Sequence, residues 1–135
     1  MALLAIFLSL IFSLFVTTSA GTQSKAQDAE RQTDINSMDA HLEAYYANNG
    51  YYPTFADINN ASWRHQNMVG LDDEALKDPA GTASALASAP GKHTYSYKVT
   101  GNNGEACNNT TVDCAAFVLT ATLGSGQTFT KRSFD

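Results

Sequence analysis

The chain has 135 residues, which is enough for one domain and excludes an enzyme built from separate cofactor and substrate domains. Charged residues make up 16% of it, and 13 acidic against 8 basic residues give a net charge of -5. This acidic balance argues against a folded part that binds nucleic acid through the phosphate backbone.

The amino-terminal end is strongly apolar. Residues 1–16 include no charged side chain, and Ser9 and Ser13 are their only polar residues. As a helix, residues 1–20 would reach about 30 Å, the thickness of the hydrocarbon core of a bilayer. A helix of this kind must be covered by a membrane or by copies of itself.

A cleavable secretory signal is the alternative interpretation of this segment. Thr18, Ser19 and Ala20 precede Gly21 and satisfy the preference of signal peptidase for small residues. A signal normally carries a basic residue ahead of its apolar run, whereas the first basic residue here is Lys25.

A weak joint is predicted at residues 16–22, where β-branched residues, a serine and a glycine form helices less readily than their neighbours do. It divides the chain into an apolar helix over 1–22 and a globular domain over 23–135. The joint would let the two helical parts take different directions.

Residues 23–48 predict an amphipathic helix with one apolar stripe facing the core. The stripe recurs at steps of three and four residues and consists of Ile35, Met38, Leu42 and Tyr45. Gly50 predicts a left-handed cap, and Pro53 prevents the helix from continuing. Asp28, Glu30 and Arg31 are expected on a solvated face or in contacts between subunits.

A loop region is predicted over 53–92. Within it, Thr54 with Asp57 suggests a capping box for a short helical turn, and residues 71–76 suggest another turn. The pattern then alternates with a period of two, which predicts an antiparallel sheet over 93–134. Its strands are expected around Tyr95 to Val99, Phe117 to Leu123 and Thr128 to Phe134. The predicted fold class is α+β, with a long helix lying on a small sheet.

Cys107 and Cys114 bracket a short polar segment that offers too few other ligands for a zinc site. A disulfide is the better interpretation, and it implies an oxidising location outside the cytoplasm. Glycosylation triplets begin at Asn60, Asn108 and Asn109, although this pattern is common by chance.

No catalytic constellation is found, so the chain is not expected to be an enzyme or to hold a cofactor. His41, His65 and His93 lack any metal or nucleophile spacing and are interpreted as surface or partly packed residues. The acidic residues Asp72, Asp73, Glu74 and Asp78 could hold calcium, but the acidic first turn of a helix explains the first three equally well. The aromatic residues Tyr45, Tyr46, Tyr51, Tyr52 and Trp63 are expected to pack at the helix end rather than form a ligand surface.

The order of these elements resembles that of a type IV pilin or a secretion-system pseudopilin. The most specific similarity is the run from Leu42 to Pro53, LEAYYANNGYYP, preceded by DAERQTDI from Asp28 to Ile35. Weaker similarity covers the Lys77-Asp78-Pro79 loop and the strands beginning near Tyr95 and Phe117. The likeness covers nearly the whole chain.

This resemblance implies a structural subunit that polymerises through its amino-terminal helix into an extracellular filament serving adhesion or motility. Its partners would be further copies of itself, the inner-membrane assembly machinery and, before assembly, the cytoplasmic membrane. The expected assembly interface consists of Leu3, Leu4, Ile6, Phe7, Leu8, Ser9, Leu10, Ile11, Phe12, Ser13, Leu14 and Phe15.

One position departs from the family pattern. Pilins typically carry a glutamate at the fifth position of the processed chain, where this sequence has Ala5. Without that acidic group, register is expected to come from apolar packing, including Ser9 and Ser13, and from the charges of Lys25, Asp28 and Arg31. Two other interpretations stay open: a pseudopilin forming a short piston, and a small secreted binding domain with a signal peptide.

Overall fold

The computed structural model describes the backbone of residues 2–134 and the side chains of residues 21–134. The architecture is α+β: a long helix, α1 (Ala2–Asn49), packs on a three-stranded antiparallel sheet. The end of α1 is as predicted, since Gly50 takes a φ of 79° and its N–H bonds to the carbonyl of Tyr46 at 2.7 Å.

The backbone of α1 continues through residues 16–22, so the interruption expected there is absent. Once a helix is nucleated, each further residue adds one hydrogen bond, while Val, Thr and Ser cost only about 0.5 kcal/mol each relative to Ala. The apolar segment and the amphipathic segment therefore form one helix of 48 residues, about 72 Å long at 1.5 Å per residue.

The predicted apolar stripe of α1 is confirmed as its core face. Ile35, Met38 and Leu42 are fully buried, and Tyr45 is nearly so. Arg31, one turn before Ile35, is also buried, although the sequence predicted a solvated face or a contact between subunits for it. The domain is thus built around the carboxyl-terminal half of α1.

Between α1 and the sheet lie two short helices, α2 (Phe55–Asn59) and α3 (Ala61–Asn67), and a 3₁₀ turn (Asp73–Leu76). The predicted capping box is present, with the Asp57 N–H donating to Thr54 Oγ1 at 3.1 Å. Asp72 caps the 3₁₀ turn by accepting from the Glu74 N–H. α3 was not predicted, because within its seven residues only Arg64 is buried and no apolar period marks it.

The sheet has the order β1-β2-β3, formed by β1 (Tyr95–Thr100), β2 (Ala116–Thr122) and β3 (Thr128–Arg132). Neighbouring strands are antiparallel. The sequence predicted a third strand that ends at Phe134, whereas β3 ends at Arg132. One face of the sheet packs against α1 through residues that are almost fully buried: Tyr95, Tyr97, Phe117, Leu119 and Ala121.

Aromatic rings close the domain around the carboxyl-terminal end of α1. Tyr46 stacks on Tyr52 with ring centroids 4.5 Å apart, and Phe134 meets Tyr46 edge-on at 5.5 Å. Tyr52 also packs edge-on against Phe117 at 4.8 Å. This set, Tyr46, Tyr52, Phe117 and Phe134, is termed the aromatic end of the domain.

Candidate functional site

The predicted assembly interface, Leu3 to Phe15, lies outside the residues whose side chains are described. Across residues 21–134, none of the helices offers a stretch that is both long and apolar enough to cross a bilayer. The described part of the candidate site is therefore the place where α1 enters the globular domain.

Residues 21–26 of α1 are exposed in the single chain. The β2–β3 turn reaches the helix just after them, where the Gly124 N–H donates to Asp28 Oδ1 at 2.9 Å. A side chain at Gly124 would meet the Ser24 hydroxyl, so glycine permits this close approach. The globular domain thus bonds to α1 at Asp28 and leaves residues 21–26 exposed.

Arg31 joins three elements at this entry point. Its Nε and Nη2 atoms donate to Asp78 at 2.7 and 2.9 Å, a bidentate pair with a residue 47 positions away. Its Nη1 donates to Asp28 Oδ1 at 2.7 Å, the same oxygen that accepts from Gly124. Arg31 and Asp78 are almost completely buried. The set Asp28, Arg31, Asp78 and Gly124 is termed the arginine clamp.

The electrostatics of the clamp favour full ionisation. Burial alone raises the pKa of the Asp78 carboxyl, yet hydrogen bonds from Arg31 and the Ala80 N–H outweigh it and leave that pKa below its usual value. The Gly124 N–H, followed by Arg31, lowers the pKa of Asp28. The hydrogen bonds of Asp78 chiefly raise the pKa of Arg31. A buried pair with this many donors is a rigid joint.

The clamp corrects the role predicted for two charged residues. Asp28 and Arg31 were expected on a solvated face or in contacts between subunits, but both are bonded within their own chain and Arg31 is buried. The pairing was missed because Asp78 is distant in sequence and stands in a region that reads as a loop. Of the three charges assigned to register, Lys25 alone is exposed.

Beside the clamp, the Tyr95 hydroxyl donates to Asp34 Oδ2 at 2.7 Å, joining α1 to β1. Burial raises the pKa of Asp34 to about 6, opposed by the Tyr95 hydrogen bond and assisted by the charges of Glu30, Asp72 and Asp78. The sequence gives no sign of this pair, since an aspartate on an amphipathic helix is ordinarily exposed.

The predicted disulfide is confirmed: Cys107 and Cys114 are bonded, with Cα atoms 5.1 Å apart. The loop they close packs on the aromatic end through Asn109. Its Nδ2 donates to the Tyr52 carbonyl at 2.8 Å, and its Oδ1 accepts from the Cys114 N–H at 2.7 Å. Asn109 also takes a φ of 56°, a conformation that asparagine tolerates well.

The three asparagines of the glycosylation triplets have structural tasks. Asn60 caps α3 by accepting from the Trp63 N–H, and Asn108 Oδ1 accepts from the Thr110 and Thr111 N–H groups. Both ends of the Asn109 amide are engaged, as described above. A sugar on Asn109 would break contacts that position the disulfide loop.

The remaining candidate residues are dispersed. His65 is exposed and contacts Asp73 at 2.8 Å, His41 bonds to the Ser37 carbonyl, and His93 is exposed. Within residues 21–134, no three acidic, histidine or cysteine side chains group in a way that could hold a metal ion.

Two of the acidic residues have structural partners that explain them. Asp73 accepts from the buried Arg64 at 2.6 Å, a pair that the sequence did not predict. Asp72 is the cap of the 3₁₀ turn, as the acidic first turn suggested.

The aromatic residues predicted at the helix end pack there. Tyr45 lies 5.3 Å from Trp63 and 6.0 Å from Tyr51, between ring centroids. These contacts join the end of α1 to α3 and to the segment that follows Gly50.

Comparisons with protein-family models, with curated proteins and with solved structures yield no match.

Proposed function

We propose that the chain is a structural subunit of the type IV pilin kind, which polymerises through its apolar amino-terminal helix into a surface filament. The observation that carries the proposal is the uncovered entry of α1: residues 21–26 are exposed, and the domain holds the helix from Asp28. A helix that continues beyond its own domain, with an apolar sequence ahead, is suited to packing against copies of itself.

The mechanism exchanges one apolar environment for another. Before assembly, the apolar helices are inserted in the cytoplasmic membrane. An assembly machine extracts them, and they then pack side by side while the globular domains cover the filament. Each subunit presents different surfaces to the subunits before and after it, so growth is open-ended.

The arginine clamp has a defined part in this scheme. The four residues of the clamp, which include a buried bidentate ion pair, hold α1 at a fixed angle to the sheet. If the helices pack in register, a fixed angle places every globular domain equivalently along the filament. With Asp28 and Arg31 engaged internally, register would rest on the apolar packing, on Ser9 and Ser13, and on Lys25.

The first experiment replaces Leu10 or Ile11 by Asp and examines the product by negative-stain electron microscopy. A carboxylate among packed apolar helices is strongly unfavourable, so filaments should be lost while the globular domain stays folded. Leu10→Met is the control for volume, and Ser125→Asp in the exposed β2–β3 turn is the control for added charge. Normal filaments from Leu10→Asp would overturn the proposal.

Two further measurements separate the rival functions. Long filaments with this chain as the dominant band support a pilin, whereas short assemblies confined to a secretion machine support a pseudopilin. An intact mass showing that the native protein begins at Gly21 would instead support a secreted binding domain whose signal has been removed.

A further inference from the structure

Two asparagine–glycine pairs occur in the chain, and each stands at the end of the same tripeptide, Asn-Asn-Gly. The first tripeptide ends at Gly50 and the second at Gly104. Asparagine before glycine is chemically labile, because glycine has no side chain to hinder the attack of its backbone nitrogen on the preceding carboxamide. Since the two tripeptides are identical, a difference in their reactivity has to come chiefly from the fold.

The first pair is held at the end of α1. Asn49 is the last residue of that helix, and its Nδ2 donates to the Tyr45 carbonyl at 2.9 Å. The Gly50 N–H donates to the Tyr46 carbonyl at 2.7 Å. The carboxamide and the nitrogen that would attack it are therefore both engaged, and the last turn of α1 has to open before they can react.

The second pair lies in a turn that follows β1. All five residues from 102 to 106 are exposed, and the Asn103 carboxamide makes no hydrogen bond with any residue in 21–134. Of the two reacting groups, the Gly104 N–H alone is engaged, by the Gly101 carbonyl at 3.1 Å. One hydrogen bond in an exposed turn opens more readily than the end of a packed helix.

The turn requires the same glycine that makes Asn103 labile. Gly104 takes a φ of 81°, a left-handed conformation in which other residues are strained. The turn also contains Glu105, whose Oε2 accepts from the Asn103 N–H at 2.9 Å. A carboxylate formed at residue 103 would therefore stand close to a like charge, which would weaken the turn.

We infer that Asn103 is a site of spontaneous deamidation, which converts the protein into a more acidic form. The Gly104 nitrogen gives its proton to solvent base and bonds to Asn103 Cγ. The bond from Cγ to the side-chain nitrogen breaks, and that nitrogen takes up a proton and leaves as ammonia. Water then opens the cyclic imide at either carbonyl, which leaves aspartate or isoaspartate at residue 103.

The product carries one negative charge more than the parent chain, whose net charge is -5. In isoaspartate the backbone is also one methylene longer, so the turn cannot keep its present geometry. This inference does not depend on the proposed assembly, because the turn lies outside α1.

The test incubates the folded full chain in nonionic detergent at pH 8 and 37 °C. After reduction, trypsin separates the two pairs into the peptides 32–64 and 99–131, and tandem mass spectrometry locates each converted asparagine. Residue 103 should convert at least about tenfold faster than residue 49, which corresponds to about 1.4 kcal/mol more free energy to open the helix end. Unfolding the chain in guanidinium chloride should remove this difference, because the tripeptides are identical.

Asn103→Gln is the test variant, because glutamine would have to close a larger ring and reacts more slowly. Conversion at residue 103 should disappear in it. Asn102→Gln is the matched control, since Asn102 is also exposed but precedes asparagine instead of glycine. Conversion at residue 103 should continue in this control.

Faster conversion at residue 103 in the folded chain, its loss in Asn103→Gln and its retention in Asn102→Gln together support the inference. Similar or faster conversion at residue 49 would overturn it, and so would undiminished conversion of the peptide 99–131 in Asn103→Gln. The inference also fails if residue 103 is stable under conditions in which the unfolded chain reacts at both pairs. It fails equally if the difference between the pairs persists after unfolding, because the fold would then not be its cause.

Discussion

The two ends of the globular domain are held together by different chemistry. Around the entry of α1, buried charges of the arginine clamp join the helix to the β2–β3 turn and to the loop that carries Asp78. Around its exit, the aromatic end and the disulfide loop close the domain through stacked rings and the Asn109 amide.

Because of this difference, the stability of each end should depend on different solution conditions and substitutions. Ion pairs and carboxylates respond to pH and lose stability when one partner is removed. Stacked rings and a disulfide respond instead to loss of apolar contact and to reduction. Substitutions and solution conditions should therefore weaken one end with little effect on the other.

Removing Arg31 should have the largest effect. Arg31→Ala leaves Asp78 buried without its cation, and the free energy of unfolding should fall by about 4 kcal/mol, measured by urea unfolding of the full chain in detergent. Replacing the pair together, by Arg31→Met with Asp78→Leu, should recover most of that loss, because no uncompensated charge remains. Lys25→Ala, at an exposed position, is the control. An equal effect at Lys25 would contradict the clamp.

Loss of the disulfide should come next. Cys107→Ser with Cys114→Ser opens a loop of eight residues and should cost about 2.5 kcal/mol by the loop-entropy relation. Hydrogen exchange should rise at Tyr52 and Cys114, whose backbones are bonded at 2.7 Å, and stay unchanged at Gly124. Faster exchange at Gly124 would show that the two ends are coupled.

Tyr52→Phe sharpens the contrast within the aromatic end. It keeps the ring but removes the hydroxyl that donates to the Glu43 carboxylate at 3.0 Å, so about 1.5 kcal/mol of stability should be lost. Tyr46→Phe is the matched control, since its ring stacks on Tyr52 and its hydroxyl makes no hydrogen bond with residues 21–134. If Tyr52→Phe and Tyr46→Phe lost similar stability, the hydrogen bond from Tyr52 to Glu43 would not be the cause of the loss.

Asp34→Asn should give the smallest effect, and in the opposite direction. Because burial raises the pKa of Asp34 to about 6, the folded state is favoured while the carboxyl is protonated and loses stability as pH rises from about 4 to about 6. Asn can still accept from the Tyr95 hydroxyl. The variant should therefore be more stable at pH 7 by roughly 1 kcal/mol, after allowance for solvent screening, and equal to the parent near pH 4. Unfolding curves across pH 4–7 measure this slope.

Lowering the pH below about 4 should weaken the arginine clamp. The pKa values of Asp28 and Asp78 are lowered in the folded state, so their contribution is present above about pH 4 and is lost as pH falls further.

Local patterns in the sequence predicted much of the fold. The stripe from Ile35 to Tyr45, the glycine cap, the Thr54 capping box and the alternating strands each lie within a short window, where periodicity and turn chemistry act directly. The disulfide could also be predicted from the sequence, because the polar segment between the two cysteines offers too few other ligands for a metal site.

The clamp could not be predicted in this way. Arg31 has the same local surroundings as an exposed arginine, and its burial depends on Asp78, which only the folded chain brings to it. Asp34 with Tyr95 and Arg64 with Asp73 were missed for the same reason. Gly81 contributes to this arrangement, because a side chain there would collide with the His93 carbonyl and push away the loop that carries Asp78.

The position of the clamp also determines how a mechanical force would pass through the molecule. Followed from its amino end, α1 is tied to the β2–β3 turn at Asp28 and to the Asp78 loop at Arg31 before its core face begins at Ile35. Tension on the helix would therefore enter the domain through these charged hydrogen bonds, while the disulfide loop stays at the unstrained end. In the filament proposed above, the Arg31–Asp78 pair would be among the first contacts to bear that load.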